Sequence, residues 1–196
     1  MSETCRVVSA SVRAFDCAYA RYESEPFALG QMLAVREGRY LTFGVVTGSE
    51  SGPDDPSRPL VPRGDPGQSA AAIMAGNPEI ELLLRTTLTV AICGHIDREV
   101  ARPLLPPMPP PLLAEVQAAT GEEKVRIADD GRFLVSLLAN PAADDAVVAA
   151  ALREVARAAG PAGRLFLVAA GKELARLLKA EPSRLTSILR AVEPGP

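Results

Sequence analysis

The feature that most constrains this chain is a run that is apolar on both of its faces. In residues 40–47 (YLTFGVVT), Leu41, Phe43 and Val45 alternate on one side, and Tyr40 and Val46 sit on the other. Successive side chains of a strand point to opposite faces, so both sides of this strand must be covered. Residues 31–35 (QMLAV) form its partner. Between them, Arg36-Glu37-Gly38-Arg39 supplies the glycine that a tight hairpin needs at positive φ. Gly44 and Gly48 punctuate the second strand and mark a kink or a close backbone approach. A glycine-kinked strand covered on both faces fits a small barrel, where a coiled sheet removes its own edges.

The flanking residues supply partners for this hairpin. Phe15, Cys17 and Tyr19 alternate on one face of a strand, and Val8, Ala10 and Val12 do so just before, with a bend near Arg13-Ala14. Residues 21–26 are polar, end in proline and form a connection. Residues 49–67 hold five prolines and three glycines among acidic and small residues, a loop long enough to be functional or disordered. Its Arg63-Gly64-Asp65 is too short a motif to weigh in a chain without an export signal. Residues 68–85 read as a broken helix. Ser69 caps the first part, Gly76 ends it, and Asn77-Pro78-Glu79 starts the second, with Ile80, Leu83 and Leu84 on one face. Residues 86–96 (TTLTVAICGHI) return to strand, Leu88, Val90 and Ile92 alternating with Thr87, Thr89 and Ala91.

Composition excludes some classes. Hydrophobic residues make up 47% of the 196, enough for a sizeable core, but aromatics are 4% and Trp is absent, so Val, Leu, Ile and Ala must build it. The net charge is −3. Phosphate contacts supply most non-specific nucleic-acid affinity, and a chain with no basic surplus is not expected to bind nucleic acid directly. Cys5, Cys17 and Cys93 are odd in number and far apart, which predicts reduced thiols. No signal peptide is visible at the N-terminus, and no apolar run reaches the roughly 18 residues of a membrane span. The expected location is cytoplasmic, away from membranes.

Three segments in order, YLTFGVVTG, NPEIELLLRTTLTVAICGHI and RPLLPPMPPPL, together resemble the HAS barrel. This small β-barrel is shared by HerA-type DNA-translocating ATPases and the catalytic subunits of rotary ATP synthases. The likeness is closest to the HerA side, where a strand of the form LLRTT…GH also runs into a proline-rich linker. It covers about residues 5–113. The resemblance implies a barrel that forms the N-terminal crown of a hexameric ring, mediates subunit contacts or partner docking, and does not itself hydrolyse nucleotide.

Family members with a motor carry a P-loop soon after the linker. A P-loop needs G-x-x-x-x-G-K-[ST], with amides cradling phosphates and a hydroxyl on magnesium. The one Gly-Lys pair here is Gly171-Lys172; Phe166 stands five before the glycine and Glu173 follows the lysine. The ATPase core is therefore absent. In its place the chain predicts helices: a turn or two in residues 133–138 after Asp129, Asp130 and Gly131; a helix opened by Asn140-Pro141 with Val148, Leu152, Val155 and Ala159 as its stripe; another over residues 164–180 with Phe166, Ala170, Leu174 and Leu177; and a last one from Pro182 or Ser183 with Leu185, Ile188, Leu189 and Val192. Amphipathic helices with short connections read as a small bundle. The run Pro106-Pro107-Met108-Pro109-Pro110-Pro111 reads as a rigid spacer, or as a docking peptide for a proline-binding module.

Candidate chemistry is sparse. His95, the only histidine, shares a predicted strand face with Cys93. A metal needs three or four ligands, and residues two apart on a strand project in parallel rather than toward each other, so His95 is read as a strand-end hydrogen-bonding residue. No catalytic residue, metal site or cofactor is expected. Arg85, Arg98 and Arg102 flank the last barrel strand and are the candidate partner contacts, meeting an acidic surface or phosphate through the guanidinium fork unless Glu79, Glu81 and Glu99 neutralise them. The helices offer a groove only where they leave an apolar stripe exposed.

The expected fold is α+β in two parts: a closed HAS-like barrel with an inserted helix over residues 1–105, a proline-rich linker over 106–113, and a helical bundle over 114–196. The expected function is a non-enzymatic assembly or adaptor module acting on a protein partner, a hexameric ATPase or nuclease, or on further copies of itself. The alternative is a regulatory protein that binds a ligand, with nucleotide as the family-suggested candidate, between barrel and helices.

Overall fold

The structure, a computed structural model, describes residues 4–128 and 131–192. Seven strands are present among these residues: β1 (Cys5–Ala10), β2 (Ala14–Tyr19), β3 (Met32–Val35), β4 (Leu41–Pro53), β5 (Leu84–Asp97), β6 (Val100–Arg102) and β7 (Glu115–Ala118). Six of them close a barrel in the order β1-β2-β5-β4-β3-β7 and back to β1, with every neighbouring pair antiparallel. The short β6 folds back on the far end of β5. Helices α1 (Ala70–Gly76) and α2 (Pro78–Glu81) lie between β4 and β5. Helices α3 (Gly121–Ala128), α4 (Leu134–Leu138), α5 (Asp145–Ala158), α6 (Gly163–Leu177) and α7 (Pro182–Val192) follow β7. The chain is α+β: a closed barrel plus helices.

Alternation divides the apolar residues into two cores. Val7, Phe15, Cys17, Leu33, Val46, Leu88, Val90 and Ile92 fill the barrel. Met32, Ala34, Phe43, Val45, Ala91 and Cys93 face outward from the same strands and pack under Leu134, Leu137, Val148, Leu152 and Val155 of the helices. Full burial of each large side chain contributes about 1.5–3 kcal/mol. The two-faced strand therefore has both its faces covered, one by the barrel interior and one by the helical layer.

Bulges adjust this alternation. Extra residues interrupt the β4–β5 register between Phe43 and Gly44 and between Val46 and Gly48, the positions where glycines predict a kink. In β1 a register shift between Val7 and Ser9 puts Val7 inside the barrel and leaves Val8 45% exposed. Of the face predicted for Val8, Ala10 and Val12, only Ala10 packs against the barrel core; Val8 and Val12 are exposed, and Cys5 and Val7 lie inside.

The proline-rich run does not join barrel to helices. It connects β6 to β7, two strands of one sheet. Pro106 and Pro110 are buried, Leu113 N donates to Val7 O (2.8 Å), and Val7 N donates to Ala114 O (3.0 Å). The strand Glu115–Ala118, which the sequence assigns to the helical part, then inserts between β1 and β3 and closes the barrel. Four residues with only Val116 and Ala118 apolar carry too little periodicity to announce a strand. Closure comes instead from partners about a hundred positions away.

Two further boundaries differ from expectation. Helix α5 is capped by Asp144, whose Oδ1 accepts from Val147 N (2.8 Å). Asn140 instead makes a local turn, accepting from Ala142 N (3.0 Å), and reaches across to Arg13 O (3.3 Å). Leu84, predicted on a helical face, is the buried first residue of β5. Asp129 and Asp130, read as a helix entry, lie outside the described residues.

One carboxylate fastens the layers together. Glu154 on α5 accepts from the backbone N–H of Met32, the first residue of β3, and pairs with Lys124 Nζ of α3 at 2.8 Å. The neighbouring Gly30 sits at φ +79°, with Ala150 of α5 so close that an added Cβ would stand 2.3 Å from its methyl. The approach that lets Glu154 reach β3 is one only glycine accommodates.

The three cysteines are free and buried. Cys5 and Cys17 lie inside the barrel on neighbouring strands, and the Cys5 thiol together with burial pushes the Cys17 pKa up. Burial among apolar side chains raises Cys93 to about 12 and Tyr19 to about 12. These groups stay protonated in the folded chain at pH values where the unfolded chain releases protons. Their contribution to stability is complete below pH 9 and is lost as the pH climbs toward 12. Denaturation midpoints should fall over that window, and Cys93→Ala should flatten the fall. A thiol-reactive chromophore at pH 8 should leave all three thiols unmodified until denaturant is added; rapid labelling of the native chain would contradict their burial.

The shared outer core makes a second prediction. Leu152→Ala should cost about 2–5 kcal/mol, as large-to-small core changes do. Barrel and helices should unfold together, with far-ultraviolet dichroism and the fluorescence of barrel-interior Tyr19 changing at one denaturant concentration. Two separated transitions would show that the outer core does not couple them.

Candidate functional site

The sequence puts three arginines forward, and the structure separates them. Arg85 pairs in register with Gly52 near the start of β5, and Arg98 lies just past its end. At about 3.3 Å per residue the two are on the order of 40 Å apart, so the three do not form one patch. Arg98 and Arg102 share one end of the barrel; Arg85 belongs to the other.

At the Arg98 end, Asp97 and Val100 are paired across a two-residue turn in which Arg98 (φ 46°) and Glu99 (φ 69°) both adopt left-handed backbone. This is the primed hairpin geometry, which favours Asn and Gly. Two charged residues stand there instead, held out from the barrel. Behind the turn, His95 is 3% exposed. Its Nδ1 lies 3.0 Å from Leu104 O, and since a carbonyl only accepts, Nδ1 carries the proton. Tyr40 meets the imidazole edge-on at 5.3 Å, and the Arg39 guanidinium covers Tyr40 at 5.3 Å. His95 thus makes the strand-end hydrogen bond expected of it, and what it holds is the start of the proline strap.

Cys93 and His95 do not share a face. Gly94 is opposite Phe43 and Ile92 is opposite Gly44, so Cys93 is the extra residue of a bulge. Its Sγ reaches Phe43 O at 3.7 Å under the helices, while His95 turns to Leu104. A one-residue slip exchanges the faces of everything beyond it, which is why simple alternation misplaces the pair. Among the described residues no group of three or more His, Cys, Asp or Glu is gathered as a metal shell.

The strap itself carries exposed apolar side chains. Leu104, Met108, Leu112 and Leu113 face solvent, as does Val100 on β6. It runs from His95 past Gly38, against which Pro111 packs, to β1, where Arg6 Nη1 donates to Leu113 O at 2.8 Å. The barrel end is therefore collared by a stiff strap with outward apolar groups, beside Arg98 and Arg102.

At the opposite end, β4 and β5 run on beyond β2 and β3 as a two-stranded ribbon. Thr86 ties its root: its Oγ1 accepts from Glu23 N (3.1 Å) and lies 2.8 Å from Ser51 Oγ. Arg85 bonds Asp54 at 3.0 Å, and Glu79 pairs with Arg63 at 3.5 Å. The arginines are neutralised locally here, but with partners other than those the sequence suggests. A concavity lined by Glu50, Pro53, Asp54, Leu60 and Arg85 opens on this ribbon. Between barrel and helices, Phe43, Val45 and Cys93 share one apolar core with Leu152.

Two parts of these surfaces escape a reading of the sequence. The strap's attachment to β1 has no local signal. Helix α3 does have one: Thr120 and Glu123 form a capping box, Thr120 N donating to Glu123 Oε2 (2.7 Å) and Glu123 N to Thr120 Oγ1 (3.3 Å). No helix of the described residues is long and apolar enough to cross a membrane. No protein-family model matches the chain, and no curated protein matches it.

Proposed function

We propose that this chain is a non-enzymatic assembly or adaptor module. Its HAS-like barrel resembles, or docks on, the crown of a HerA-type hexameric motor, and a helical bundle stands where a motor core would be. The observation that carries the reading is the collar: Arg98 and Glu99 held in strained turn geometry beside a strap that displays Leu104, Met108, Leu112 and Leu113. Left-handed backbone at non-glycine residues costs of order 1–3 kcal/mol each and recurs where side chains have work at a surface. The barrel interior is filled by its own side chains, so the module acts through its outside. An apolar strip flanked by arginine fits a protein partner, since aromatic, Met and Arg side chains concentrate at such contacts.

The test uses the purified full chain and the HerA-type ATPase of the same host. The pair should co-elute in size-exclusion chromatography with light scattering, and Arg98→Glu combined with Met108→Asp should abolish co-elution while leaving the dichroism spectrum unchanged. Separate elution of the wild-type chain would overturn docking on that motor. ATP turnover by the chain alone would overturn the non-enzymatic reading.

A further inference from the structure

Among the described residues, the helical layer leaves a face of α6 uncovered. On α6, Phe166, Ala170, Leu174 and Leu177 turn toward the core. On the other side Leu165, Val168, Lys172 and Ala175 follow one another at helical spacing. Leu165 is 73% exposed and Val168 51%. Gly171 lies beside them, and Leu189 of α7 comes within 3.9 Å of where its Cβ would stand. The missing side chain makes a notch between Val168 and the half-exposed Leu189. The rim is cationic. Residues 155–180 hold five Lys and Arg and one carboxylate, in a chain whose net charge is −3. That carboxylate, Glu173, is already held by Arg176 at 2.6 and 2.8 Å.

The complementary surface is on the same chain. Residues 50–85, the ribbon with its loop and helices α1 and α2, hold six carboxylates and three arginines. The three arginines are engaged locally, Arg58 with Asp55, Arg63 with Glu79 and Arg85 with Asp54. The tip keeps a negative surplus, and directly after Glu79 and Glu81 it displays Leu82 (63% exposed) and Leu83 (51%). An acidic turn bearing two leucines matches a cationic face with an apolar notch in both charge and polarity.

One chain does not bring the two together. The helices pack over Phe43, Val45 and Ile96, on the half of the β4–β5 pair away from the tip. A second copy does. We propose that the Leu82 and Leu83 tip of one copy docks in the α6–α7 notch of the next, so that the chain assembles head to tail. Such a contact is heterologous, and the rotation it imposes decides between a closed ring and an open filament. This inference rests on the assembly reading and names a different surface from the collar.

The experiment measures the mass of the full-length chain by light scattering over a concentration series, at low and high salt. Association should strengthen with concentration and weaken with salt, since the rim charges are screened over about 8 Å at physiological ionic strength. Arg164→Glu with Lys172→Glu alters the notch face; Glu79→Lys with Glu81→Lys alters the tip. All four positions are at the surface, so dichroism should show both variants folded. Each alone should raise the dissociation constant about tenfold or more, and mixing the two should restore association, because each supplies the complement the other lacks. Leu83→Asp should weaken association at high salt too. A wild-type chain that stays monomeric throughout overturns the proposal, even where it still co-elutes with a motor through the collar. Oligomers indifferent to both reversals overturn it as well, placing the contact elsewhere and leaving the assembly reading intact.

Discussion

The structure depends on β4 and β5 having no solvent face over their central length. Phe43, Val45, Ala91 and Cys93 point one way, and Val46, Leu88, Val90 and Ile92 the other, all fully buried. A barrel made only of the strands would leave the first set in water, at about 25 cal/mol for each Å² of apolar surface. Helices alone would have nothing to pack on. The chain therefore needs both halves at once, and the same two strands serve as the wall of one core and the floor of the other. With few aromatics, this arrangement lets medium-sized Val, Leu and Ala side chains reach near-complete burial.

Glu154 shows how that joint is fixed in position. Apolar packing is non-directional and would tolerate some sliding of α5 over the barrel. A carboxylate that accepts from Met32 N and pairs with Lys124 admits little. It satisfies a backbone donor at the start of β3, which has no strand partner for that group, and it ties α3 to α5 through a pair whose side chains are mostly shielded. A buried carboxylate is costly unless each of its oxygens is engaged, and here both are. The close contact of Gly30 with Ala150 is the steric condition for that bond.

Much of this was legible in the residues, and the illegible parts share a cause. The two-faced hairpin, the glycine bulges, the Ser69 cap and the stripes of α5, α6 and, Leu189 apart, α7 are local patterns within one element. What local pattern does not carry is register and distant pairing. The slips at Val7 and Cys93 move side chains between faces without changing composition. β7 is defined by where β1 and β3 leave an opening, not by its own four residues. The arginines illustrate the same limit: sequence marks Arg85, Arg98 and Arg102 as neighbours of one strand, but a strand of 14 residues carries its ends far apart. The exposed stripe on α6 was conditional on how the helices pack, since Leu165 and Val168 are as apolar as the residues that became core.

Closing a sheet removes its edges, and an edge is the usual way for a strand protein to meet another chain. Here closure is complete around the barrel, so an assembly or adaptor role of the kind proposed would act through what the barrel does not use. Among the described residues three such features stand out: the strap across one end, the ribbon leaving the other, and the helix face turned from the core. The α6 face sets apolar side chains beside positive charge and the ribbon sets them beside negative charge, while the strap lies next to a turn that carries both signs, Arg98 and Glu99. Charge at the rim governs encounter and selects against like-charged partners, whereas the apolar centre supplies most of the binding energy. Under the proposed assembly role, a barrel filled with its own side chains would be inert inside and specific outside, its specificity residing in segments whose length and composition the core does not constrain.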